Sequence, residues 1–469
     1  MKMKRVAAID LLRALAIIGM VVSGQMLWNA QLPAWMFHAQ LPPPTFVFNP
    51  EVPGLTWVDL VFPFFLFSMG AAMPLALRRR EEQGATGWQV TLGALHRFVW
   101  LAAFAIILGN TRMGLLSELP RWGAALATLG VWALFFVMFV RLPRMERRRN
   151  SWLNWGGLAA LVAVTLCYKP LFGVETSLHH SDIIILILAS MALFGTVLYW
   201  LTRGNWLLRV AVITGVALLK MASSVEGSWC QWLWQQTPAV WLFRFEFVKY
   251  LCMVLSGTLA GDLIDRFRQT SEATTESKPT ASPAWNIVVV GLMAALIGVQ
   301  LWGLFVREVG WTVVVSALLC SAAAWSVRSM TSPEKPLVKS LLSLAVVMLF
   351  LGLLAEPLEG GIKKDPATIG YFFVTGAMAT FVLIAALVLE LRFGIRFRFL
   401  EASGANPMFA YTASGYLIQP LAVLTGLSVY IERMAALTPW CGFLRGVLFA
   451  LLVMAITYPF TRKNYFWKS

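Results

Sequence analysis

Residues 55–77 read LTWVDLVFPFFLFSMGAAMPLAL and run directly into Arg78-Arg79-Arg80. A helix that crosses a hydrocarbon core of about 30 Å needs about 20 mostly apolar residues. This stretch supplies them, with one acid near its start and a block of cations at its end. Pro63 and Pro74 do not count against it, because prolines are tolerated at membrane depth. Working outward in both directions, the pattern recurs. Fourteen candidate spans lie near 6–28, 55–77, 90–109, 120–140, 152–170, 182–202, 206–222, 244–264, 285–306, 310–327, 338–355, 370–391, 405–428 and 441–461. Those at 206–222 and 310–327 are short, so the expected count is twelve to fourteen. Runs this long and continuous satisfy their backbone in lipid as helices. The expected fold is an all-α, polytopic membrane helix bundle, one domain over 1–469.

Composition agrees. Apolar residues make up 59% of the 469 and charged residues only 13%, against about 25% charged in a soluble domain. Mean hydropathy is +0.71. The net charge of +15 would suit a nucleic-acid binder, but its distribution is topological. If the N-terminus is cytoplasmic, Arg78–Arg80, Arg141, Arg144, Arg147–Arg149, Arg203, Arg266, Arg268, Lys278, Arg328, Lys335, Lys339, Arg392, Arg396, Arg398, Arg462, Lys463 and Lys468 all fall inside. The opposite loops hold scattered cations such as Arg112, Lys169, Arg307, Lys363 and Lys364. This is the positive-inside pattern. It predicts cytoplasmic termini in a cytoplasmic (inner) membrane and excludes a nucleic-acid partner.

The start, MKMKR and an apolar run, resembles half a signal peptide. Asp10 and Arg13 inside the run, and no small-residue cleavage site after Val22, make it a retained first helix. The five cysteines are isolated, with no metal-ligand spacing. Residues 268–284, RQTSEATTESKPTASPA, read as a flexible cytoplasmic linker. No internal repeat of the transporter kind is visible.

Polar groups at membrane depth are costly and mark function or structural pairing. Asp10 and Arg13 lie three apart on one helix face, where a structural ion pair is the plain expectation. Asp59 enters the second helix, His96 and Arg97 lie within the third, and Asp262 and Asp265 close the eighth. Among the four histidines, His38 sits in the first external loop, LPAWMFHAQLPPP, beside Trp35 and Phe37. His179 and His180 sit in another external loop beside Asp182. Imidazole is suited to proton transfer near neutrality, but nothing in the residues themselves separates these histidines.

AIDLLRALAIIGMV (8–21) followed by GLTWVDLVFPFFLFSMG (54–70) resembles the opening of the heparan-α-glucosaminide N-acetyltransferase family and its bacterial relatives of unassigned function. FVKYLCMVLSGTLAGDLI (247–264), EGGIKKDPATIGY (359–371), GANPMFAY (404–411) and RKNYFWK (462–468) are similar to that family's middle and final helices, in the same order. The likeness covers roughly 1–140, 244–266 and 340–469, a ten-helix core, with 182–222 and 285–327 as two added helix pairs. Two departures stand out. The family's histidine comes only a few residues before G-L-T, where the proline-rich 41–53 intervenes here; Trp35–His38 is the preferred match, with Asn49 the alternative. Arg13-Ala14 replaces the usual Arg-Gly.

The resemblance implies a membrane-embedded acyltransferase that moves an acetyl group from cytoplasmic acetyl-CoA to an outer-face amino sugar or envelope glycan. It implies His38 as general base or transient acyl carrier, oriented by Asp59. Arg97 and Arg78, Arg79 and Arg80 would hold the phosphates of the donor, while Lys364, Asn406 and Trp35 would bind or position the acceptor, with Asp10 and Arg13 in support. Expected partners are acetyl-CoA, a sugar or glycan acceptor and the bilayer; a homodimer is left open. The rival class is a secondary transporter or flippase for a sugar or lipid-linked substrate.

Overall fold

A computed structural model describes residues 5–143, 145–273 and 284–468. Arg144, Lys278 and most of the expected linker therefore lie outside the described residues. The chain is an all-α multi-pass membrane protein. Among the described residues, twelve helices are long and apolar enough to cross a membrane, and a bent pair makes up to thirteen.

In chain order the helices are α1 (Ala7–Gln25), α2 (Val61–Glu82), α3 (Gly87–Asn110), α4 (Arg121–Phe139), α5 (Arg147–Phe172), α6 (Ile183–Thr202), α7 (Trp206–Ala222) and the short α8 (Trp229–Trp234). There follow α9 (Leu251–Ala273), α10 (Ala284–Phe305), α11 (Val309–Ser329), α12 (Lys335–Ala355), α13 (Ile369–Phe393), α14 (Arg398–Ala405), α15 (Pro407–Thr412), α16 (Gln419–Leu424), α17 (Leu427–Leu437) and α18 (Pro439–Arg462). Two two-residue strands, β1 (Val140–Arg141) and β2 (Phe466–Trp467), pair antiparallel.

Side-chain caps set several boundaries. Thr86 and Gln89 form a reciprocal capping box at α3, while Asp182 caps α6 and Thr368 caps α13. The centre is the seam between α2 and α9. A Cβ on Gly70 would strike the Val254 carbonyl, and one on Gly257 the Phe67 carbonyl. The missing side chains let the two backbones approach, as small residues do between membrane helices. α1 packs antiparallel to α2, and α13 lies parallel to α2 with the Tyr371 hydroxyl donating to the Asp59 carbonyl at 2.7 Å.

Two of the expected spans differ from their simplest form. The stretch 206–222 is a helix of 17 residues, and it carries a fully buried charge, Arg209, bonded to Asp262 at 2.6 Å. The stretch 405–428 is not one straight span. Asn406 breaks it from α14, residues Ala413–Ile418 form a π-turn, Gly426 adopts φ 75°, and α17 turns away by 105°. A glycine in that conformation ends a helix at no steric cost.

Candidate functional site

The loop between α1 and α2 brings His38 to Asp59. Residues 41–53 are an excursion that closes on itself. The Asn49 N–H donates to the Gln40 carbonyl at 2.9 Å, and the Gln40 side chain donates to Pro50 O at 2.9 Å. The proline-rich stretch thus adds length without separating His38 from the helix that follows. Asn49, the alternative, is an exposed turn residue that accepts from the Glu51 N–H. His38 is buried, with Nδ1 3.3 Å from Asp59 Oδ1 and Nε2 4.0 Å from Asp365 Oδ2.

Asp59 is held rigidly by this segment. Its Oδ2 accepts from the backbone and hydroxyl of Thr56 at 2.9 and 3.0 Å, in a capping box around the turn Trp57–Leu60. Its Oδ1 is buried and accepts no hydrogen bond. The Gln40 N–H also points at His38 Nδ1, at 3.1 Å, so that nitrogen has two competing neighbours. An unpaired buried carboxylate oxygen is the costlier loss. A proton on Nδ1, turned towards the unpaired Oδ1, would free the Nε2 lone pair at the loss of the Gln40 bond. Burial pushes the His38 imidazolium below its ordinary range; Asp59 and Asp365 act the other way, and Lys364 adds to the lowering. The loop before α13 stays in place through Gln40, whose side-chain Oε1 accepts from the Asp365 N–H, and through Lys363, which pairs with Glu51 at 2.9 Å.

Trp35 sits on the one-turn helix Ala34–Met36 and is half exposed, while Trp28 packs against Phe37 and Phe46. His179 and His180 are exposed, on a loop pinned by Asn110.

A second centre lies at the arginine-bearing end. A cavity of about 540 Å³ is lined by Arg5, Arg13, Arg80, Arg97, Arg141 and Lys468 at one end. It continues along α2 past Ala76, Met69, Phe65 and Phe62 to Val61. From Arg80 to Val61 is roughly 28 Å at about 1.5 Å per residue, close to the hydrocarbon thickness. Val61 is two residues from Asp59. Among the described residues, Arg80, Arg97, Arg141 and Lys468 have no carboxylate partner. Removal from bulk water, then Arg141, Arg5 and Arg79, hold the Lys468 ammonium below its usual value. These four of the six cations make a mouth suited to a polyanion, while Arg5 and Arg13 share Asp10.

The expected arginines separate here. Arg80 and Arg97 line the mouth, whereas Arg78 is drawn aside to Asp265 and Glu82 at 3.2 and 3.3 Å. Arg79 is exposed and does not line the cavity. Asp10 and Arg13 form an ion pair at 3.3 Å, and Arg13 also donates to the carbonyls of Gly404 and Ser68.

Asn406 lies at this end, not beside His38. Its amide donates to Tyr465 O and accepts from the Trp467 N–H, each at 3.0 Å. Those bonds dock the C-terminal strand, whose Trp467 is buried against Phe139 and Phe409 and whose end delivers Lys468 to the cavity. Arg5, Arg141 and Lys468 were legible only as topological charges; nothing local in the sequence pairs 140–141 with 466–467.

No curated protein matches the chain. A family match does cover residues 5–264, more than half of the 469, and through it the chain belongs to the family described as a domain of unknown function (DUF5009).

Proposed function

We propose that this protein is a membrane-embedded acyltransferase of the cytoplasmic membrane, with both termini inside. It would move an acetyl group from cytoplasmic acetyl-CoA to an amino sugar or related glycan on the outer face. One observation carries the proposal: a cavity whose mouth holds four cations without a carboxylate partner runs along α2 to Val61, two residues along the chain from Asp59 of the His38–Asp59 pair. The donor set fits the group. Arg80, Arg97, Arg141 and Lys468 suit its phosphates, and the apolar walls Phe62, Phe65 and Met69 suit its long arm. Bound there, acetyl-CoA supplies the activated acyl group.

The chain's own residues supply the rest. His38 Nε2 accepts the proton of the attacking amine or hydroxyl, as a general base does. Asp59 holds Nδ1–H and stabilises the imidazolium that forms, the role carboxylates play in catalytic triads. Asp365, near Nε2, offers a counter-charge to an ammonium acceptor. Lys364 tunes the imidazole through its charge.

The test is calorimetry with CoA and acetyl-CoA on the purified protein, alongside transfer of labelled acetyl to glucosamine. Each arginine–phosphate contact is worth about 1.5–3 kcal/mol. Arg97→Gln or Arg80→Gln should therefore weaken CoA binding roughly tenfold or more. A secondary transporter or flippase is favoured instead by the bent, π-turned span 407–437. Sugar binding and uptake without any CoA binding would decide for it.

A further inference from the structure

A second group of cations gathers at the basic end, outside the cavity that runs along α2. A recess of about 520 Å³ lies between the start of α14 and the last turns of α18. Arg396, Arg398 and Arg462 line it, together with Arg5, Asp10 and Glu401. It shares Arg5 alone with the cationic mouth. The strand β2 lies between the two: Phe466 lines the recess, while Trp467 and Lys468 line the mouth. Successive residues of a strand point to opposite faces, so one strand walls both.

The charges in the recess do not cancel. Glu401 takes Arg396 at 2.6 Å, and Asp10 is shared by Arg13 and Arg5. Among the described residues, the guanidinium groups of Arg398 and Arg462 make no ion pair or hydrogen bond, and the Tyr458 hydroxyl makes no hydrogen bond. Two unpaired surface arginines are ordinarily no more than solvated charges. Their surroundings decide otherwise. Between α13 and α14 the chain alternates apolar and basic residues, from Ile395 through Phe397 to Phe399, and every side chain of that stretch is exposed. Both α13 and α18 are long enough to span. Their ends, Phe393 and Arg462, therefore fall where hydrocarbon gives way to headgroups. A soluble phosphate has no use for that apolar rim. A phospholipid does, because its chains can lie on Ile395, Phe397 and Phe399 while its phosphate meets the two free arginines. Tyr458, whose ring lies 5.8 Å from that of Phe399, adds a free hydroxyl at the same level, as interfacial aromatics do.

We propose that this recess binds the headgroup of an anionic phospholipid from the adjoining leaflet, with Arg398 and Arg462 as its phosphate ligands. Basic pockets between membrane helices suit acidic headgroups. The site stands apart from the acyltransferase reading and does not depend on it.

The test uses the full chain in a neutral detergent, titrated with phosphatidylglycerol or with phosphatidylcholine of the same acyl chains, and read by native mass spectrometry. Each cation near an acidic lipid is worth about fivefold in affinity, so phosphatidylglycerol should bind roughly tenfold or more tightly than phosphatidylcholine. The double variant Arg398→Gln with Arg462→Gln should lose most of that preference. Arg148→Gln with Arg149→Gln removes two exposed cations from the start of α5 at the same end. As the charge-matched control, it should keep the wild-type preference. Glycerol phosphate, which has the phosphate without the chains, should bind far more weakly, and CoA should not displace the lipid. Equal affinity for the two lipids, or equal losses in the two double variants, would overturn the site. Tight binding of glycerol phosphate would assign the recess to a soluble phosphate ester, and displacement by CoA would assign it to the acyl donor. Either result would overturn the lipid site.

Discussion

His38 has two nitrogens in different surroundings, and its titration reports on both. A general base works neutral, so activity falls as pH drops through its pKa. Burial holds that pKa below the ordinary value of about 6.5, so the acid limb of kcat/KM should lie below about pH 6.5. Asp59 is the negative neighbour that raises it, so Asp59→Asn should move the limb lower. Lys364 is a positive neighbour that lowers it, so Lys364→Gln should move the limb higher. The measurement is a pH–rate profile of acetyl transfer, with His38→Ala expected to lose about 10²–10⁴ in rate while retaining CoA binding. A limb that stays fixed in both variants would mean that the essential base is elsewhere. The approach of His38 to Asp59 is encoded by the self-closing loop, and only the resemblance made it legible. Spacing alone hid it, because the hydrogen bonds of Gln40 that fold residues 41–53 back leave no periodic trace.

At the scale of elements, the α2–α9 seam has no alternative packing to fall back on. Gly257 sits against the Phe67 carbonyl, and backbone cannot move aside as a flexible side chain can. Gly257→Val should therefore force the helices apart and cost on the order of 1–3 kcal/mol or more. Gly291→Val on α10 is the matched control, since no atom lies within 4 Å of the Cβ it would gain. Thermal unfolding in detergent should drop clearly for the first and stay near wild type for the second. Equal melting of the two would mean the seam is looser than its geometry. The sequence displayed this helix's small residues, in LSGTLAG, but not which helix they faced. Long-range docking is similarly hidden in the tail, where NYFWK pairs with 140–141 through two residues of strand. Asn406 was legible as a distinctive residue, yet both its amide contacts lie some 60 residues away in sequence.

For the whole molecule, hydropathy settled the architecture because the bilayer imposes it: a span must be long, apolar and internally hydrogen-bonded, whatever it packs against. What hydropathy could not convey was where a span bends, as at 407–437, since the π-turn and Gly426 act through backbone geometry and leave the composition apolar. The contacts gather Arg5, Arg80, Arg97, Arg141 and Lys468 at one end of the bundle, and the His38 loop at the other. Positive residues concentrate on the cytoplasmic side because translocating them is unfavourable, so the basic end should face the cytoplasm. Single cysteines in a background free of the native five can test this. Arg148→Cys marks the basic end, and Leu358→Cys, 72% exposed in the loop before α13, marks the other. In intact cells a membrane-impermeant maleimide should label position 358 and spare 148, with 148 reacting only after permeabilisation. Labelling of both from one side would break the alternation of spans. Labelling of 148 alone would invert the protein and put the cationic mouth outside, away from cytoplasmic acetyl-CoA.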